Sequence, residues 1–222
     1  MQTIVVTSQK GGSGKSTLTA ALAVEIERVG DGAAVVIDAD AQGTLSMWRT
    51  KRQADTPKAT TPPNIAELPS HLTRVAAAGV KFVVVDTAPA RHAENDLILS
   101  AADFVLIPMQ ASPTDVWALK PLLDALRVSN IRFAFVMNRV KPNTRLTSQT
   151  IALLSKHGRV LSAFVSDRTD YAAAMTDGHT ASEVSNAAAA KELAALWLEL
   201  KELISESSHS LISDKGAIRV TA

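Results

Sequence analysis

The sequence predicts an α/β fold, a mostly parallel twisted sheet covered by helices on both faces. Apolar, β-branched runs recur along the 222 residues, helical patterns separate them, and the first run passes through a glycine-rich turn directly into a helix. Strands that are apolar almost throughout are those buried on both faces. An intervening helix is what a parallel crossover needs.

TIVVTS (3–8) reads as the first strand, followed by a helix over 15–29. AAVVID (33–38), KFVVVD (81–86), DFVLIP (103–108), RFAFVM (132–137) and RVLSAFV (159–165) supply five more strands. Helices are expected near 93–101, 114–128, 145–156 and 187–205. In SPTDVWALKPLLDAL, Ser112 can N-cap, Pro113 suits the first helical position and Asp115 completes a capping box. Leu119, Leu122, Leu123 and Leu126 then share one helical face. Leu193, Leu196, Trp197, Leu200, Leu203 and Ile204 repeat that spacing in the last helix. Residues 50–70 carry four prolines and little periodicity, which predicts a surface loop with one short helix. One domain over 1–206 and a flexible tail over 207–222 are expected.

Apolar residues make up 46% of the chain, ample for a core, yet no run approaches the roughly 18–20 residues of a membrane span. The N-terminus lacks a basic region and a small-residue cleavage site, so a cytoplasmic location is expected. The absence of cysteine excludes disulfides and thiolate-held metal clusters. The net charge of +1 conceals a basic middle: residues 120–168 hold nine Lys/Arg against Asp124 and Asp167. That excess is either a solvated helical face or an electrostatic footprint for a polyanion.

The chemistry-bearing stretch is VVTSQKGGSGKSTLTAALAVEI (5–26). A glycine-rich turn between strand and helix aims backbone N–H groups at an anion, and the helix N-terminus adds partial positive charge. Gly11, Gly12 and Gly14 permit the turn, Lys15 can reach terminal phosphates, and the Ser16 hydroxyl is placed to ligate Mg²⁺. The strict phosphate-loop pattern wants a glycine where Gln9 stands. Three aspartates, Asp38, Asp40 and Asp86, fall at strand ends on the carboxyl edge of the sheet, where open α/β folds bind ligands. Any one of them alone could be a helix cap or a turn residue. Asn138 ends another strand, and its amide offers the donor and acceptor that match an adenine edge.

The string KGGSGKS is a deviant Walker A signature, in which a lysine precedes the paired glycines. With VVIDADAQGTLS and FVVVDTAPA it resembles the ParA/MinD group of ATPases, most of all the small partition ATPases, over about residues 1–205. The resemblance implies a P-loop NTPase three-layer sandwich that binds ATP and Mg²⁺ with weak intrinsic hydrolysis. It implies that Gly11, Gly12, Ser13, Gly14, Lys15, Ser16 and Thr17 hold the phosphates, with Ser16, Asp38 and Asp86 on the metal side. Asp40 would orient the attacking water, and Asn138 and Arg139 would lie at the base. Lys10 would reach the nucleotide of a partner subunit, countering charge as an arginine finger does.

The same resemblance implies an ATP-dependent homodimer that binds nonspecific DNA, becomes nucleoid-associated and is stimulated by a ParB-like or other cargo adaptor. Arg139, Lys141, Arg145 and Arg168 are the candidate DNA contacts within the basic middle. Plasmid or chromosome segregation is the leading expectation. The alternative is a MinD-like or other cargo-positioning ATPase, for chemoreceptors, carboxysomes or conjugative transfer, acting as a nucleotide-switched scaffold. A MinD-like membrane switch needs a terminal amphipathic helix with a basic polar face, and KELAALWLELKELISESS is acidic there. The loop begins within ten residues of Met1, so no preceding operator-binding domain is expected.

Overall fold

The structure is a computed structural model and describes residues 1–62, 64–88, 94–184 and 187–214. Among these, seven strands are present: β1 Gln2–Val6, β2 Ala34–Ala39, β3 Lys58–Thr60, β4 Phe82–Thr87, β5 Phe104–Met109, β6 Phe133–Val140 and β7 Arg159–Ser166. Every pairing is parallel, in the order β3-β2-β4-β1-β5-β6-β7. The helices are α1 Lys15–Arg28, α2 Thr44–Lys51, α3 Leu68–Ala77, α4 Glu94–Ser100, α5 Pro113–Trp117, α6 Lys120–Val128, α7 Arg145–Leu154, α8 Thr169–Thr176 and α9 Ala187–Asp214. The chain leaves β1 toward β2 on one side and later crosses to β5 on the other. The turn after β1 therefore sits where the strand order reverses, at the crevice open α/β sheets use for ligands.

Alternate strand residues feed two cores. Ile4, Val6, Val36, Val84, Leu106 and Val136 pack under α1 and α9, while Val5, Ile37, Val85, Ile107 and Phe135 pack under α3, α4, α6 and α7. Both sets are fully buried, which explains runs without polar alternation. Burying each such side chain contributes about 1.5–3 kcal/mol. Helix α1 is buried on nearly every side from Leu18 to Ile26, and its alanines 20, 21 and 23 permit close approach to the sheet. β7 is an edge strand whose outward N–H groups are covered from α9. Glu199 accepts from Ser162 N at 3.0 Å and Ala163 N at 2.9 Å, and Glu192 accepts from Ser166 N at 3.0 Å. Carboxylates there occupy donors that another strand could otherwise recruit.

Several sequence expectations are corrected. Residues 50–70 are not simply a loop: Lys58–Thr60 pair with Val35–Ile37 as the sheet's outer strand, and α3 follows a 3₁₀ turn at Ile65–Glu67. Three residues are too few to display a strand period, and here the pairing comes from the neighbouring strand. Helices α2 and α8 are additions to the expected set. The helix expected over 114–128 is two, α5 and α6, because Pro121 lies in the first turn of the second and can only start a helix there. The capping box is not formed. Ser112 makes no side-chain cap, its hydroxyl lying 3.1 Å from Thr114 Oγ1, and the Asp115 carboxylate is engaged elsewhere. The leucines of α6 and the apolar face of α9 are buried as their spacing predicts, Leu203 partly. Helix α9 continues past Ser207 to Asp214, and residues 215–222 lie outside the described residues.

Candidate nucleotide site

The loop after β1 takes its shape from two left-handed glycines, Gly12 at φ 75° and Gly14 at φ 86°. Gly14 is also the N-cap of α1 and makes no side-chain cap. The first N–H groups of that helix therefore keep their donors for an anion. A Cβ on Gly14 would stand 2.5 Å from Asn138 Nδ2. That close approach has a purpose, since Asn138 Nδ2 donates to Ser13 O at 2.7 Å and ties β6 to the loop. On the other side, Gln110 Nε2 donates to Gly12 O at 3.0 Å.

Lys15 is buried, and its Nζ donates to Ser8 Oγ at 3.4 Å. Burial pulls its pKa below the ordinary lysine value despite the attraction of Asp86 and Asp40. Such an ammonium gains from an incoming polyanion. Ser8, which pairs with Ser13 Oγ at 2.7 Å, and Gln110 do not stand out in the sequence, because hydroxyls and amides outside the motif carry no spacing signal.

Across the crevice, Ser16 Oγ donates to Asp86 Oδ2 at 2.5 Å. Asp86 is fully buried, and its Oδ1 has no hydrogen-bond partner among the described residues. Burial pushes its pKa up to about 7, opposed by Ser16 and Lys15 and reinforced by the charges of Asp38 and Asp40. A buried carboxylate with an orphan oxygen beside a serine hydroxyl fits a divalent cation that completes its shell with phosphate oxygens and waters. No group of three or more His, Asp or Glu placed to hold a metal ion exists among the described residues.

Asp38 lies in register with Asp86 on the adjacent strand. Its Oδ2 accepts from Ser46 N at 2.8 Å and Ser46 Oγ at 2.9 Å, so it caps the first turn of α2. Asp40 Oδ1 accepts from Gln42 N at 3.0 Å, closing the turn that leads to α2. The last two residues of the FVVVDTAPA segment, with the three that follow (89–93), lie outside the described residues.

Lys10 stands apart from this cluster. Its side chain is 63% exposed, and its Nζ rests 3.3 Å from both Asp115 carboxylate oxygens on α5. Two loop lysines thus have opposite environments: Lys15 is buried under the loop and Lys10 projects at its mouth.

Beside the loop is a cavity of about 320 Å³, walled by Gly14, Thr17, Asn138, Arg139, Ser166 and Tyr171 among others. Leu18, Ala21, Val165 and Leu193 add apolar surface between these polar groups, a combination that suits an aromatic base. Arg139, at φ 53°, forms a 3.6 Å ion pair with Asp167. Among the other basic candidates, Arg168 is held by Glu192 at 2.9 Å. Lys141, in the loop before α7, and Arg145, its first residue, are exposed and form no ion pair among the described residues.

A glycine-rich turn at a strand-order reversal, a buried lysine under it, and a serine–aspartate pair ready for a cation define a phosphate-loop nucleotide-binding protein. The model for the CobQ/CobB/MinD/ParA nucleotide-binding domain matches residues 4–181, and the chain belongs to that family, with the ParA/MinD ATPases. It is 28% identical over 185 residues to the "maintenance of carboxysome distribution protein A" of Halothiobacillus neapolitanus, covering 79% of this chain and 84% of that one. Its counterpart in Gloeobacter kilaueensis is 32% identical over 151 residues, 64% of each chain. Among solved structures, the MinC:MinD cell-division complex of Aquifex aeolicus matches with a TM-score of 0.76 at 16% identity, covering 91% of this chain and 96% of that one.

Proposed function

We propose that this chain is a positioning ATPase that closes as a homodimer around two Mg²⁺·ATP molecules, binds DNA without sequence preference, and hydrolyses ATP slowly until a cargo-bound adaptor stimulates it. The observation that carries the reading is the division of labour between the two lysines: Lys15 buried beneath its own phosphate loop, Lys10 exposed and free to leave Asp115 for a neighbour.

In this reading the loop N–H groups, Lys15 and the N-terminus of α1 bind the triphosphate. Ser16 and Asp86, with Asp38 beside them, would hold Mg²⁺, which would neutralise charge on the phosphates. Asp38 keeps α2 and the intervening turn in place, so that Asp40 is positioned to orient water. The partner's Lys10 adds positive charge where the γ-phosphoryl separates. Little covalent chemistry falls to the protein, and rate comes from positioning and charge.

The names of the two curated relatives favour a carboxysome as cargo, which the sequence motifs place second to segregation. Plasmid or chromosome partition, the leading expectation from the sequence, is the other reading. Among the described residues no helix is long and apolar enough to cross a membrane.

The test is light scattering and gel retardation of a random duplex with ATP, with ADP and without nucleotide. ATP alone should produce dimers that retard DNA and release it at raised salt. Equal DNA affinity in all three conditions would refute the switch. Pull-down with the ATP-locked protein then identifies the adaptor and so the cargo.

A further inference from the structure

We infer that Glu192 on α9 is a positioning residue for the nucleotide base, holding one wall of the cavity from behind. The inference rests on the reading of that cavity as the base site. Glu192 accepts from Ser166 Oγ at 2.7 Å, Arg168 Nη2 at 2.9 Å and Nε at 3.2 Å, and Tyr171 Oη at 2.8 Å, besides Ser166 N. All three donor residues line the cavity together with Gly14, Thr17 and Asn138, whereas Glu192 does not line it. One carboxylate therefore sets the rotamers of three side chains that meet the base, without meeting it itself.

The arrangement is more than edge covering, because the same helix supplies a control. Seven residues further on, Glu199 covers Ser162 N and Ala163 N of the same strand, and pairs with Arg159 at 3.6 Å. None of its partners lines the cavity. Edge covering accounts for Glu199; it leaves the bonds from Ser166 Oγ, Arg168 and Tyr171 to Glu192 unexplained. Burial alone would raise the Glu192 pKa, but the bonds from Arg168, Ser166 and Tyr171 outweigh it and keep the carboxylate charged. Burial, with the Glu192 charge, raises the Tyr171 phenol, so it stays a donor. Arg168 thereby lines the nucleotide pocket with its guanidinium held by Glu192.

The experiment compares full-length wild type, E192A, E192Q and E199A by fluorescent-ATP titration, tripolyphosphate competition, steady-state hydrolysis and thermal melting. E192A should raise KM and the ATP dissociation constant about tenfold with kcat within about twofold, and E192Q should recover most of that through its remaining acceptor. E199A should lower the melting temperature comparably yet leave KM within about twofold. Should E192A not fold, E192Q against E199A carries the same comparison. Equal KM changes in the Glu192 and Glu199 variants, or a loss confined to kcat, would overturn the role of Glu192 alone. A wild type that prefers ATP no more than tripolyphosphate would overturn the base-site reading, and this inference with it.

Discussion

At the residue scale, the two loop lysines make opposite predictions. Lys15→Ala removes the cation beneath the phosphates and should abolish nucleotide binding. Lys10→Ala should leave binding within about twofold and reduce hydrolysis by roughly 10³-fold, as removal of an arginine finger does. Titration and turnover measured on both variants check this, and equal loss of binding would assign Lys10 to its own subunit. Gly14→Ala faces two obstacles at once, the left-handed φ of 86° and the Asn138 amide 2.5 Å from the added Cβ. Left-handed backbone alone costs about 1–2 kcal/mol. A melt and a nucleotide titration should show both reduced stability and weakened binding.

At the element scale, α2 is held at both ends. Asp38 caps its start, and just past its end Arg52 makes two bonds to Glu183, 2.9 and 2.7 Å long, with others to Thr56 O and Gly178 O. Arg52 is almost fully buried and stacks on the Trp48 ring. Removing the arginine strands a partly buried carboxylate. Arg52→Ala should therefore cost about 3–5 kcal/mol in a denaturant melt, and R52L/E183L much less. Burial tends to raise the Glu183 pKa, but the bonds from Arg52 and Thr180 prevail and hold it below its usual 4.5. Its stabilisation is thus complete above about pH 4.5 and lost as pH falls through the depressed value. Wild type should lose melting temperature on acidification below that point faster than Glu183→Gln.

At the scale of the whole molecule, the basic middle proves less available than its count implies. Lys120 and Arg127 pair with Asp124, Arg159 with Glu199, Arg139 with Asp167 and Arg168 with Glu192, so Lys141, Arg145 and Lys156 are exposed without an ion pair among the described residues, the first two near the N-terminus of α7. K141A/R145A should weaken binding to every duplex and flatten the log–log salt dependence by roughly one unit for each phosphate no longer neutralised. R168A should leave that slope unchanged, because its guanidinium is committed to Glu192. Gel retardation across a salt series separates these outcomes.

Much of this molecule was legible without coordinates because its signals are local. A buried parallel strand must be apolar on both faces, so β1, β2, β4, β5 and β6 are each visible as a run, and a phosphate loop must place glycine and lysine at fixed offsets. What the sequence could not contain is pairing across distance. Lys58–Thr60 becomes a strand only because β2 offers it an edge, and Asp115 serves Lys10 instead of its own helix because folding brings residues 105 positions apart together. Asp38 shows both sides: its place at a strand end was readable, while its bond to α2 depended on where Ser46 came to lie. The chain by itself determined the fold class and the phosphate-binding chemistry, which follow from near-neighbour sterics and spacing. Only the tertiary structure decided which charges are committed, which are exposed and which carboxylate shapes the cavity wall, since those depend on distances that no run of neighbouring residues encodes.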